Sequence, residues 1–179
     1  MNKVEAALNH NKVWSSIQEK TIADFLGWSV VSGSGSRACM PGDVVSANWL
    51  GECKTHGSTD RPIHFNANVW KKISDEAAAR GKYPVLFVDD GSQDINKTWC
   101  MFRYTSISPD DLVLNFNACP DMIEKHLNFK HTELFEIYQL MKDGMYSDRY
   151  VAFYVPWDVI PGNYVAVTPL VEFKRMFEE

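Results

Sequence analysis

The sequence predicts an α/β fold: a mixed central β-sheet flanked by helices, in a single domain. Its core covers about residues 12–112, and a C-terminal α+β elaboration covers about 113–179. Three observations carry this. Stretches with helical apolar spacing alternate with short apolar runs bounded by turn residues. A length of 179 residues suits one domain with room for a real core. No internal repeat or low-complexity linker divides the chain.

The elements follow in order. Residues 12–26 place Val13, Ile17, Ile22, Phe25 and Leu26 near one face of an amphipathic helix that Gly27 stops. WSVV (28–31) reads as a strand, and the glycine- and serine-rich stretch 32–42 as a turn. DVV (43–45) and WLGECKT (49–55) form a hairpin around SAN (46–48). Residues 56–65 read as a loop. Residues 68–82 read as a second helix with Val69, Trp70, Ile73 and Ala77 on one face and Gly81 after its end. YPVLFVD (83–89) and TWCMFRYTSI (98–107) are strands around the turn 90–97. Ser108 and Pro109 can open a short helix as N-cap and first position. Residues 120–142 read as helical, broken near 128–131, with Gly144 after them. Residues 149–157 are a strand, and residues 165–179 end in a helix with Thr168 as N-cap and Pro169 at its first position.

Composition narrows the function classes. Hydrophobic residues make up 45% and charged residues 23%, which excludes a disordered chain or a fibrous repeat. No apolar run approaches the length of a membrane span, and the N-terminus carries no apolar signal-like segment, so an intracellular, cytoplasmic protein is expected. Cys39, Cys53, Cys100 and Cys119 form no CxxC pair and read as reduced thiols. His56 and His64 beside Cys39 and Cys53 match no common zinc spacing. The net charge of −5 disfavours a non-specific nucleic-acid coat, which needs clustered Lys and Arg. It does not exclude an enzyme that acts on DNA, because metal-binding carboxylates add negative charge.

The chemistry-bearing stretch is Pro41-Gly42-Asp43, eight intervening residues, then Glu52-Cys53-Lys54. Side chains alternate along a strand, so Glu52 and Lys54 share one face and Cys53 takes the other. Asp43 begins the partner strand, so two acids and one lysine converge on one end of a small sheet. A carboxylate pair suits Mg²⁺, which wants oxygen ligands and retains waters for a phosphate substrate. The backbone carbonyl of Cys53 is an additional candidate ligand. A lysine beside such a pair can orient or help deprotonate an attacking water and offset charge on the phosphate. The bland alternative is a surface hairpin with solvated charges.

These pieces resemble the PD-(D/E)xK nuclease superfamily, and within it the archaeal-type Holliday junction resolvases and their phage relatives. The resemblance runs over about residues 15–110, in the order IQEKTIADFL, WSVVSGSGS, PGDVV, WLGECKTH, then VLFVDD and WCMFRYTSISP. It implies a restriction-endonuclease-like core and metal-dependent cleavage of DNA, with Mg²⁺ as cofactor and Mn²⁺ as substitute. By the same resemblance Glu19, Asp43 and Glu52 are metal ligands, Lys54 is catalytic, and Ser36 lies near the active site. The family chain is shorter, so residues 115–179 have no counterpart in it.

The loop Gly33–Arg37 lacks the spacing of a phosphate-binding P-loop. It reads either as a flexible turn or as a loop whose Ser34, Ser36 and Arg37 donate to a DNA phosphate. Lys71 and Lys72 lie on the polar side of the second helix, with Arg61, Arg80 and Lys82 nearby in sequence, and can track a DNA backbone as a set. Lys125, Lys130, His131, Lys142 and Arg149 form a second loose group, and Trp49 and Trp70 are expected near the active-site sheet. Paired symmetric nicks in a four-way junction call for a two-fold homodimer; with no apolar span, no membrane partner is expected. Two alternatives stay open: another DNA nuclease of the same core (restriction, repair or replication-fork type), and a DNA-binding module without turnover.

Overall fold

Two parallel strands lie side by side in the interior of the sheet, β3 (Trp49–Lys54) beside β5 (Tyr83–Val88), with Glu52 opposite Leu86 and Lys54 opposite Val88. The computed structural model describes residues 3–31, 41–103, 105, 112–114, 126–144, 146–147, 149–156 and 164–177. Before β3 come helix α1 (Lys3–Leu26) and strands β1 (Ser29–Val30) and β2 (Val44–Val45). Between β3 and β5 lie β4 (Ile63–Asn66) and helix α2 (Ala67–Ala78), the crossover that a parallel pair requires. Then follow a 3-10 turn (Ile95–Lys97), β6 (Trp99–Arg103), β7 (Leu112–Leu114), β8 (His126–Phe129), α3 (His131–Asp143), β9 (Tyr150–Pro156), β10 (Tyr164–Pro169) and α4 (Leu170–Phe177).

The main sheet has eight strands in the order β1-β2-β3-β5-β6-β10-β9-β7, and β4 and β8 form a separate antiparallel pair. The β3–β5 and β7–β9 pairs are parallel and the other pairings are antiparallel, so the sheet is mixed, as predicted. The C-terminal strands extend this same sheet, since β10 pairs with β6 from Trp99↔Pro169 to Arg103↔Val165.

Alternation along the central strands divides the core into two layers. Leu50, Leu86, Val88, Trp99 and Met101 face α2, α3 and the β4–β8 pair. Trp49, Cys53, Val85, Phe87, Cys100 and Phe102 face α1 and α4. The second layer is aromatic: Trp49 lies 4.6 Å from Phe177 and 5.2 Å from Phe173, ring centre to ring centre. Lys174 of α4 donates to the carbonyl of Phe25, which ties α4 to the end of α1.

Several expectations need correction. Residues 63–66 are a strand, and residues 126–129 are a strand rather than helix. Leu127 and Phe129 alternate with exposed Asn128, and that period of two wins because Ile63 and Phe65 supply the facing apolar pair. Helix α3 therefore starts at His131. Val13 and Ile17 are exposed. The buried stripe of α1 runs through Gln18, Ile22 and Ala23, because Gln18 finds a backbone partner on β3. Thr168 does not cap α4: its hydroxyl donates to the Val151 carbonyl at 2.7 Å, and Pro169 still belongs to β10. The short helix expected at 108–112 lies outside the described residues apart from Leu112, which begins β7. Among the described residues no helix is long and apolar enough to cross a membrane.

Candidate active site

The hairpin places Asp43 through its backbone. Gly42 has φ +80°, and a Cβ there would come within 2.8 Å of the Leu50 side chain and 3.1 Å of the Gly51 carbonyl. Glycine thus permits both the turn and the close approach. Asp43 N–H donates to the Gly51 carbonyl, and its own carbonyl accepts from Val31 N–H, both at 2.8 Å. The side chain is fixed in turn, with Asp43 Oδ2 accepting from the Cys53 amide at 2.8 Å.

Strand β3 presents the other groups. Glu52 and Lys54 alternate with Cys53 as the sequence predicts. Lys54 Nζ lies 2.6 Å from Glu52 Oε1, and Lys72 Nζ from α2 lies 3.7 Å from Glu52 Oε2. Glu52 is buried and keeps two ammonium groups around it, the usual condition for a buried carboxylate. Burial pulls the Lys54 pKa down, but the charge and hydrogen bond of Glu52 outweigh this and its net displacement is upward. Lys54 is therefore a firmly charged ammonium.

Helix α1 closes the site from the other side of the strand. Gln18 Nε2 donates to the Lys54 carbonyl at 2.9 Å, while the buried Gln18 Oε1 has no partner among the described residues. The neighbouring Glu19 lies in the field of the whole cluster. Its carboxyl is pushed up to about 7, first by burial and then by the charge of Asp43; Lys54 opposes this and Glu52 adds to it. Asp43 is displaced upward too, by burial and then by Glu52, against the Cys53 amide and the two lysines. Glu19, Asp43, Glu52 and Lys54 are thus electrostatically one group.

The other predicted residues divide. Cys53 contributes its amide to Asp43; its thiol is buried in the α1 and α4 layer, and burial drives its pKa well up, so it is no nucleophile. Lys72 joins the site, whereas Lys71 is exposed and paired with Asp75 at 2.7 Å. Ser34, Ser36 and Arg37 lie outside the described residues. Trp49 and Trp70 are buried on opposite faces of the sheet. Lys82 is held by the Ser46 and Ala47 carbonyls. In the second basic group, Lys142 turns inward to Glu172. His131 accepts from the Trp99 indole, and burial lowers its pKa, so neither is a free surface cation.

Sequence reasoning missed Gln18 and the pair formed by Thr55 and Asp89. The Thr55 hydroxyl donates to buried Asp89 Oδ1 at 2.6 Å and pins the chain just after Lys54. The signal for Gln18 was present: it precedes Ile22 by four residues, on the stripe that the helix buries.

A hard divalent cation fits the chemistry of this donor set. The donors are carboxylate oxygens: the charges of Asp43 and Glu52 push Glu19 up and that of Glu52 pushes Asp43 up, and a cation relieves that repulsion. As the side chains stand, no three His, Cys, Asp or Glu among the described residues are gathered closely enough to hold an ion, and Lys54 covers Glu52 Oε1. Searches against protein-family models, curated proteins and solved structures find no match for this chain.

Proposed function

We propose that the chain is a Mg²⁺-dependent DNA endonuclease with a restriction-endonuclease-like core, and that within this class it is a Holliday junction resolvase acting as a homodimer. The observation that carries the reading is the electrostatic grouping of Glu19, Asp43, Glu52 and Lys54 where α1 meets the end of β3. The order of elements agrees with it: a helix, three antiparallel strands, a crossover helix and a strand parallel to the third.

In this reading Glu19, Asp43 and Glu52 would hold Mg²⁺ once their carboxylates draw closer than they now stand, with the Cys53 carbonyl as a further oxygen donor and Mn²⁺ as a substitute. The ion when bound activates water and offsets the charge that develops on the phosphate and the leaving oxygen. Asp43 arrives pre-oriented, because the Cys53 amide fixes its carboxylate before any ligand binds. Lys54 acts as a charged donor to a phosphate oxygen or to the water, since a lysine with a raised pKa does not give up its proton readily. Lys72 keeps Glu52 compensated when Lys54 turns to substrate. Gln18 and Asp89 hold the end of β3 in place, one through the Lys54 carbonyl and one through Thr55.

The test is incubation of the purified protein with four-way junctions, flaps, forks and linear duplexes in Mg²⁺. Paired symmetric nicks in the junction support the resolvase reading. Cleavage of flaps or linear duplex in preference to junctions supports a nuclease of the same core with another substrate. No cleavage of any DNA in Mg²⁺ or Mn²⁺ defeats the enzymatic reading.

A further inference from the structure

Two residues beyond Lys54 the chain enters a groove that the catalytic reading leaves unused. Its volume is about 370 Å³, and His56, Ser58, Arg61, His64 and Asn128 line it. On the β4–β8 pair, Ile63, Phe65, Leu127 and Phe129 turn into the core. His64 and Asn128 are cross-strand partners that face the other way, into the groove. This pair of strands lies on the same side of the main sheet as Leu50, and so on the same side as Glu52 and Lys54. Lys54 and His56 are at most about 7 Å apart from Cα to Cα, so the groove opens beside the end of the catalytic strand.

The loop between β3 and β4 is set in position before any ligand arrives. Arg61 N–H donates to the Asp90 carbonyl at 2.9 Å. Gly91, at φ +88°, packs so closely on the Ser58 carbonyl that a Cβ would come within 1.9 Å of it. Lys97 ties Asp60 at 3.7 Å and Asp90 at 3.2 Å, which keeps the loop's one acid engaged outside the groove. Arg61 is held by its Nε, which donates to Ser58 Oγ at 2.9 Å, and it forms no ion pair among the described residues. The described lining carries no Asp or Glu, in a chain with 23 acids against 18 Lys and Arg. The Arg61 guanidinium, the Ser58 hydroxyl, the His56 imidazole and the Asn128 amide make a set of donors whose natural acceptor is phosphate oxygen.

We infer that this groove is a phosphodiester subsite that seats the DNA strand flanking the cut, with Arg61 as its principal contact. The inference rests on the nuclease reading for the strand's direction, though not for its chemistry. The probe is a fluorescently labelled four-way junction bound by the full chain in EDTA, read by anisotropy across a salt titration. Arg61→Ala and Arg61→Gln should each weaken binding several-fold and reduce the salt slope by about 1. Methylphosphonates placed singly at the phosphates flanking the cut, or the expected cut where none is seen, should weaken wild type at one or two positions. Those same positions should be silent in Arg61→Ala. His64→Ala, measured in the same way, keeps the test open should both Arg61 variants fail to fold.

Full additivity of variant and methylphosphonate, an unchanged salt slope, or no binding by the wild type overturns the subsite. A wild type that cuts DNA while the cycle is additive defeats the groove and leaves the nuclease reading. A wild type that never cuts but shows the coupling defeats the catalytic reading and leaves the groove.

Discussion

The Cys53 amide donates to Asp43 Oδ2 across 2.8 Å, so the backbone of one strand of the hairpin orients the acid that begins the other. A side chain held by a rigid strand needs no reorganisation when ligand arrives, which is the condition for precise positioning. The same bond makes Asp43 a structural residue as well as a candidate ligand, and the two roles can be separated.

Asparagine at position 43 keeps an oxygen for the Cys53 amide and removes the charge. Asp43→Asn should abolish cleavage while unfolding within about 1 kcal/mol of wild type and binding DNA at least as tightly. Asp43→Ala leaves the amide unpaired and should cost about 1–3 kcal/mol. Urea denaturation with parallel nicking and binding assays reads all three. Full cleavage by Asp43→Asn would remove the acid from the mechanism.

Glu19 gives a pH signature. Its carboxyl rises from 4.5 to about 7 on folding, so between these values the folded chain holds a proton that the unfolded chain has released. Stability due to this group therefore falls as pH rises through that window, and Asp43 leans the same way. In EDTA, Glu19→Gln should melt with wild type near pH 4 and above it at pH 8. Adding Mg²⁺ should raise the wild-type melting temperature more at pH 8 than at pH 5, because protons compete with the ion, and should do much less for the variant. Identical melting curves at both pH values would show Glu19 to be an ordinary solvated residue.

The core of the site was legible because it is local. Asp43, Glu52 and Lys54 sit on one hairpin, and period-two alternation alone assigns their faces. Lys72 was legible only in part: helical periodicity gives it a polar side, but only the α2 crossover brings that side to Glu52. Gln18 and the Thr55–Asp89 pair depend on contacts across 36 and 34 residues of sequence, which spacing does not encode. The β4–β8 pair was misread for the same reason. HLNF fits a helix or a strand equally well, and the choice is made by apolar partners more than sixty residues upstream.

Glu172 illustrates what the C-terminal part adds. It is completely buried and accepts from Tyr138 OH at 3.1 Å, Val151 N–H at 2.9 Å and Arg175 at 2.8 Å, with Lys142 at 3.4 Å. These contacts bind α3, β9 and α4 together, far along the sheet from Asp43. Glu172→Leu strands the Lys142 ammonium and the Val151 amide and should destabilise by about 3 kcal/mol. The specific activity of the protein that remains folded should be unchanged. A loss of activity without a loss of stability would give residues 126–177 a direct part in the chemistry.

The final prediction joins assembly to substrate. A resolvase must cut two opposed strands within the lifetime of one complex, which a single site does poorly. The chain carries a net charge of −5, so its affinity for DNA cannot come from overall charge. Nor do the lysines of α2 supply it freely, since Lys71 is paired with Asp75 and Lys72 with Glu52 and Glu76. A binding surface of useful size then requires two subunits to pool their few open cations across a two-fold axis. The protein should sediment as a dimer at micromolar concentration and bind a four-way junction more tightly than a linear duplex of equal length. Its junction affinity should fall steeply as salt rises. A monomer that cuts linear duplex as fast as a junction would leave a nuclease and take away the resolvase.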